Sequence, residues 1–116
     1  MRFGTMPEQG EIVLIPIPFS NLQSVKKRPV LVISNDNYNE VTRDIVVVAI
    51  TSNLSEKKYA IDINNDNLVE GQLKVKSCIR CDKIYTLSQD IIVKRFGKVS
   101  EDVIEKVRFK LTELIK

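Results

Sequence analysis

Residues 77–83 read SCIRCDK, and three chemistries compete for them. Two cysteines at CxxC spacing suggest half a zinc site or a redox dithiol. The arginine and aspartate among them suggest instead that the charged residues act and the sulfurs are incidental. A structural zinc site takes four ligands. The chain holds two cysteines and no histidine, so Cys78 and Cys81 supply only half of one, and neither a metal nor another cofactor is expected. A thioredoxin-like dithiol sits at a helix N-terminus after a βαβ pattern, whereas this motif lies inside a strand-like run. In a strand, positions i and i+3 face opposite sides, so the two sulfurs should point apart and serve as small buried filler. The same alternation puts Arg80 and Asp82 on one face, with a rise of roughly 6.6–7 Å between them. Taken alone, the pair reads as an exposed ion pair contributing on the order of 0–1 kcal/mol.

A second pair comes from the elements that must position it. Val30–Ser34 and Ile45–Ile50 are aliphatic runs rich in β-branched residues, too short for helices, and they read as strands covered on both faces. If they form an antiparallel hairpin with a symmetric loop, Ser34 lies opposite Ile45 and Arg28 opposite Thr51. A guanidinium and a hydroxyl would then meet at one rim of the sheet. A slip of one residue would put them on different faces. Singly, Arg28 reads as the end of the basic KKRP loop and Thr51 as a polar strand end.

The rest of the chain supplies further strands and one helix. EIVLIPIPF is β-rich, but Pro16 and Pro18 cannot donate to a ladder, so its second half should lie on an edge or bend away. NDNYNEVTRD carries turn formers, YAIDI is a short alternating strand, and NNDNLVEG reads as loop. QLKVKSCIRCDKIYTL reads as one long strand or two joined by a bend; SQDII suggests a turn of helix before VKRFGKV. SEDVIEKVRFKLTELIK is the clearest element. Ser100 is an N-cap candidate, acids fill the first turn, Val103, Val107, Leu111 and Leu114 share one face, and Val99 is placed to staple against Ile104. The whole suits a mainly β (α+β) fold: a small antiparallel sheet curled into a barrel and closed by a C-terminal amphipathic helix.

With 116 residues and 43% hydrophobic content, a single domain over residues 1–116 is expected. The net charge of +3 permits an anionic partner without making the chain a polycation. No apolar run approaches the roughly 20 residues that span a bilayer, and MRFGTMPEQGEI lacks a secretory pattern. The expectation is therefore a cytoplasmic protein with reduced thiols and no membrane partner. Without histidine, any catalysis must run on carboxylate, hydroxyl, lysine or arginine groups.

From Gly10 onward the chain resembles the PemK/MazF-type toxins of bacterial toxin–antitoxin pairs. GEIVLIPIPFSNLQSVKKRPVLVIS is similar to a "GDIV…PF…RP…VIS" opening, VVVAITSN to the second core strand with its threonine, and IRCDKIYTL to an "RxDQxRTL"-like block. The resemblance implies an SH3-like barrel, a homodimer, metal-independent endoribonuclease action on single-stranded RNA, and inhibition by a cognate antitoxin lying over the RNA groove. It also implies site residues: Arg28 matches the arginine of the "RP" motif, Thr51 the threonine, and Arg80 and Asp82 the "RxD" pair. The chain departs in lacking a histidine before "RP" and in placing Lys83 and Tyr85 where Gln and Arg are frequent. The division of roles and the RNA sequence preference are therefore open.

On that footing the ribose 2′-hydroxyl is an internal nucleophile beside the scissile phosphorus. Asp82 would take its proton, Arg80 and Arg28 would clamp the phosphate, and Thr51 would hydrogen-bond a phosphoryl oxygen, giving a 2′,3′-cyclic phosphate and a 5′-hydroxyl. Lys26, Lys27, Lys76 and Lys83 would track the RNA backbone. Two other readings compete. One is a gyrase-poisoning toxin of the CcdB kind, against which the four site residues argue. The other is a non-catalytic nucleic-acid-binding barrel, against which the scarcity of aromatics argues.

Overall fold

The computed structural model describes residues 6–18 and 25–116. The proline-bearing segment forms strand β1 (Glu11–Pro18), and β2 (Val25–Val32) pairs with it antiparallel from Ile12↔Leu31 to Pro18↔Val25. Phe19 and most of the following polar loop lie outside the described residues. The strand β7 (Lys94–Val99) pairs with β1 only over Glu11–Leu14, so the proline half of β1 is laddered on one side, as residues without an N–H require. β2 begins five residues before Val30, because Val25–Pro29 pair with the end of β1. Lys26, Lys27 and Arg28 are therefore strand residues and not part of a loop.

The aliphatic run extends to β3 (Asp44–Thr51), which pairs with β2 through Val30↔Ala49, Leu31↔Val48 and Val32↔Val47. This is the register a symmetric connection dictates. The connection itself contains a short helix, α1 (Asp36–Val41), where the sequence reading expects only turns. Asn35 caps it by accepting the Tyr38 N–H at 2.8 Å. Asn39 is fully buried and donates to the carbonyls of Pro7 and Ser34 at 3.0 and 3.1 Å. Those tertiary bonds hold a sequence whose local chemistry favours turns.

The remaining strands are β4 (Ala60–Ile63), β5 (Leu68–Gly71) and β6 (Ser77–Ser88), with 3-10 turns at Asn65–Asn67 and Gln89–Ile91. NNDNLVEG is thus a turn followed by an edge strand, not loop throughout. Among the described residues, seven strands form one antiparallel sheet in the order β4-β6-β3-β2-β1-β7-β5, curled into a half-barrel. One face packs Ile12, Leu31, Val48, Ile50, Ile79 and Cys81 beneath the C-terminal helix α2 (Glu101–Ile115). The other carries a smaller cluster of Val13, Ile15, Val30, Val32, Ile45 and Val47. Val103, Ile104 and Val107 are the buried residues of α2, and Val99 joins their cluster as the staple predicts. The Ser100 side chain makes no capping bond; its carbonyl accepts the Val103 and Ile104 N–H groups instead. Among the described residues no helix is long and apolar enough to cross a membrane.

Candidate active site

Two neighbouring regions hold the residues singled out from the sequence. The first is a cavity of about 540 Å³ beside the first half of β2 and the end of β3, lined by Lys27, Arg28, Thr51 and Ser52 among others. The β2–β3 ladder ends at Val30↔Ala49, and Arg28 and Thr51, each two residues beyond it, both line this cavity. The Thr51 hydroxyl accepts the Asn53 N–H at 3.1 Å, which turns the chain after β3 and leaves the hydroxyl proton to donate elsewhere.

The second region is the Arg80–Asp82 pair on β6. Arg80 is paired on both sides, with Ala49 of β3 and Ala60 of β4. It donates from Nε and Nη2 to the two Asp82 carboxylate oxygens at 3.0 and 2.9 Å. The hydrogen bonds from Arg80 hold the Asp82 carboxyl below its ordinary range and raise the guanidinium in turn. Because Val30, Ala49 and Arg80 lie in one cross-strand row, Arg80 shares a sheet face with Arg28 and Thr51. Two strand spacings and one step of two residues separate its Cα from that of Arg28 by about 12 Å. Arg80 and Asp82 do not themselves line the cavity.

A bulge shapes this region. Val48 pairs with Ile84 and Ala49 with Arg80, leaving Cys81, Asp82 and Lys83 without partners on β3. The long run is therefore one strand with an internal bend. An odd spacing would put Arg80 and Tyr85 on opposite faces of a regular strand. The bulge resets the alternation, so Tyr85, opposite Val47, joins the face of Arg80 and stands 45% exposed.

The sulfurs behave as filler. Cys81 packs beneath α2, while Cys78, on the other face, lies opposite Thr51 and Asp62. Burial pushes the Cys81 thiol up to about 11 and raises that of Cys78, so both are protonated at neutral pH. Among the described residues no three His, Cys, Asp or Glu side chains come together to hold a metal ion.

The four lysines separate. Lys27 lines the cavity, Lys26 is exposed beside it on β2, and Lys83 is exposed in the bulge. Lys76 is exposed between two cavity residues, Val75 and Ser77, but does not line the cavity. Lys74 and Lys94 do line it and escape the sequence reading, because nothing local distinguishes them from solubilising charge.

The model of the PemK-like, MazF-like toxin of type II toxin–antitoxin systems matches residues 8–115, and the chain belongs to that family. A solved endoribonuclease from a mycobacterial species is similar in fold, with a TM-score of 0.77 at 19% identity over 98% of this chain and 95% of that one. MazF from Deinococcus radiodurans gives 0.76 at 23% identity over 97% and 98%. A mycobacterial endoribonuclease bound to its cognate antitoxin gives 0.77 at 19% identity over 94% of each chain. No curated protein matches the chain.

Proposed function

We propose that this family member is a cytoplasmic endoribonuclease toxin that cuts single-stranded RNA without a metal, acts as a homodimer and is neutralised by a cognate antitoxin. The observation that carries the reading is the cavity rim: Arg28 and Thr51 both line it, every titratable side chain lining the cavity is cationic, and Arg80 lies one row from Thr51 on the same sheet face. A polyanion with a reactive 2′-hydroxyl suits such a rim.

In this reading the 2′-oxygen attacks phosphorus and its proton passes to an Asp82 carboxylate oxygen. Arg28 and Arg80 balance the charge that builds on the phosphoryl oxygens, and Thr51 donates its hydroxyl proton to one of them. The 5′-oxygen leaves and takes a proton from water, since a guanidinium holds its own too firmly to give it up. A cyclic phosphate and a 5′-hydroxyl remain. Asp82 is a weak base while Arg80 grips it, so turnover is modest and electrostatics carries most of the acceleration.

The test is single-stranded RNA incubated with purified protein in excess EDTA, with the fragment ends mapped. Cleavage that persists with chelator and disappears in Arg28→Ala and Asp82→Ala supports the enzyme. Intact RNA alongside inhibited gyrase supports the competing toxin mechanism.

A further inference from the structure

The cavity holds more than the cleavage steps use. Lys74 reaches it from the segment between β5 and β6, and Lys94 from the start of β7. With Lys27 they give three ammonium groups around the opening, and among the described residues none of the three is ion-paired with a carboxylate. Leu14, Ile50 and Phe96 line the same cavity with apolar surface. Apolar walls among cationic groups fit a flat, weakly polar ring carried on a phosphate, which describes one nucleotide of a single strand.

The rim also has a chemical sense. An ammonium offers three donors and a guanidinium five, and neither accepts a hydrogen bond. Turned with the edge that faces a duplex's major groove toward the rim, guanine presents the acceptors O6 and N7 and uracil the O4 it shares with thymine, so both find partners. On that same edge cytosine places its N4 amino group, and adenine an N6 amino group beside its N7 acceptor, against a rim of donors, and an amino group confined there without an acceptor loses its hydrogen bonds to water. The Ser52 hydroxyl and the Gln72 amide can serve either sense, and the Ser77 hydroxyl already donates to the Val75 carbonyl at 3.1 Å, so the charged residues decide.

We propose that this cavity is a base pocket for a nucleotide flanking the cut, that it prefers the keto bases guanine and uracil, and that Lys74 and Lys94 set the preference. The proposal rests on the endoribonuclease reading above and deepens it. Lys74 and Lys94 are both exposed on the surface, so their substitution leaves the core intact.

The experiment cuts a randomised single-stranded RNA pool in EDTA and sequences the fragment ends. The wild type should favour guanine or uracil at one flanking position by roughly 5- to 100-fold, the discrimination typical of well-placed donor contacts to a base edge. In the Lys74→Gln/Lys94→Gln double variant the ratio among the fragments still made should fall to within about twofold, because glutamine both donates and accepts. Lys94→Glu, which supplies an acceptor, should move the preference toward cytosine or adenine. Wild-type fragments without keto bias at either flanking position, or a bias unchanged in the double variant, would overturn the pocket while leaving the nuclease standing. If the wild type leaves all RNA intact, the nuclease reading alone fails. The amide shifts of Thr51, Leu73 and Phe96 on adding each 5′-mononucleotide then decide the pocket: tighter GMP and UMP than AMP and CMP supports it, and equal or absent binding overturns it.

Discussion

Arg80 holds both carboxylate oxygens of Asp82 in a two-bond fork across the start of the β6 bulge, at 3.0 and 2.9 Å. Neither side chain is deeply covered, with 23% and 34% of their surfaces exposed. Water screens such a pair, and its contribution to stability is small. Its chemical effect is larger, since it fixes the direction of a guanidinium and lowers the basicity of a carboxylate on the face shared with Arg28 and Thr51.

That depressed carboxyl predicts a pH profile. Asp82 stays ionised down to pH values below the ordinary range near 3.9, so the base form persists. The pair's contribution to stability is present above the unfolded value and lost as pH falls through the lower folded one. Measured between pH 5 and 8, log(kcat/KM) should show no acid limb. A limb near pH 6–7 would remove Asp82 from the base role.

Arg28 and Thr51 should separate by what each contributes to the transition state. Arg28→Ala removes charge stabilisation and is expected to lower kcat by about 10²–10³-fold. Thr51→Val keeps shape but loses the donor, and Thr51→Ser restores it. Single-turnover rates that recover in Ser and not in Val identify the hydroxyl as the active group; equal losses would assign Thr51 to packing.

Lys27 and Lys76 were equivalent as sequence and are not equivalent in the fold, because only Lys27 lines the cavity. Lys27→Ala should reduce the slope of log K against log salt for RNA binding by about 1. Lys76→Ala should leave it nearly unchanged. Equal slopes for the two variants would place the RNA elsewhere.

Gly71 closes β5 against β7 with φ at +79°, where a Cβ would overlap the Phe96 carbonyl oxygen. Gly71→Ala should therefore cost at least about 2 kcal/mol in urea unfolding, through backbone strain and a separated edge strand. Since Gln72–Val75 follow directly and line the cavity, the same variant should also weaken RNA binding.

Local patterns carried much of this fold. The aliphatic runs around Val30 and Ile45 and the symmetry of their connection set the register of Val30–Val32 against Val47–Ala49, beyond which Arg28 and Thr51 line one cavity, and alternation alone places Arg80 with Asp82. Three features depend on distant partners and leave no local trace. Helix α1 depends on Asn39 reaching Pro7, with Gln89 donating to the Asn39 carbonyl at 2.8 Å. The extra length of β2 comes from its pairing with the proline end of β1. The bulge at Cys81–Lys83, which turns Tyr85 toward Arg80, appears only once β3 and β4 have both claimed Arg80. Lys74 and Lys94 are in the same position: chain topology makes them neighbours of one cavity.

The central claim is that the RNA's own 2′-oxygen breaks the strand at the rim formed by Arg28 and Thr51. It is tested most directly by an oligoribonucleotide carrying a single 2′-deoxy sugar on the 5′ side of a mapped cut, incubated with the protein in EDTA. The account predicts that this strand binds and stays intact while the all-ribose strand is cut to a 2′,3′-cyclic phosphate end. Cleavage of the deoxy-substituted strand at the same bond would contradict it.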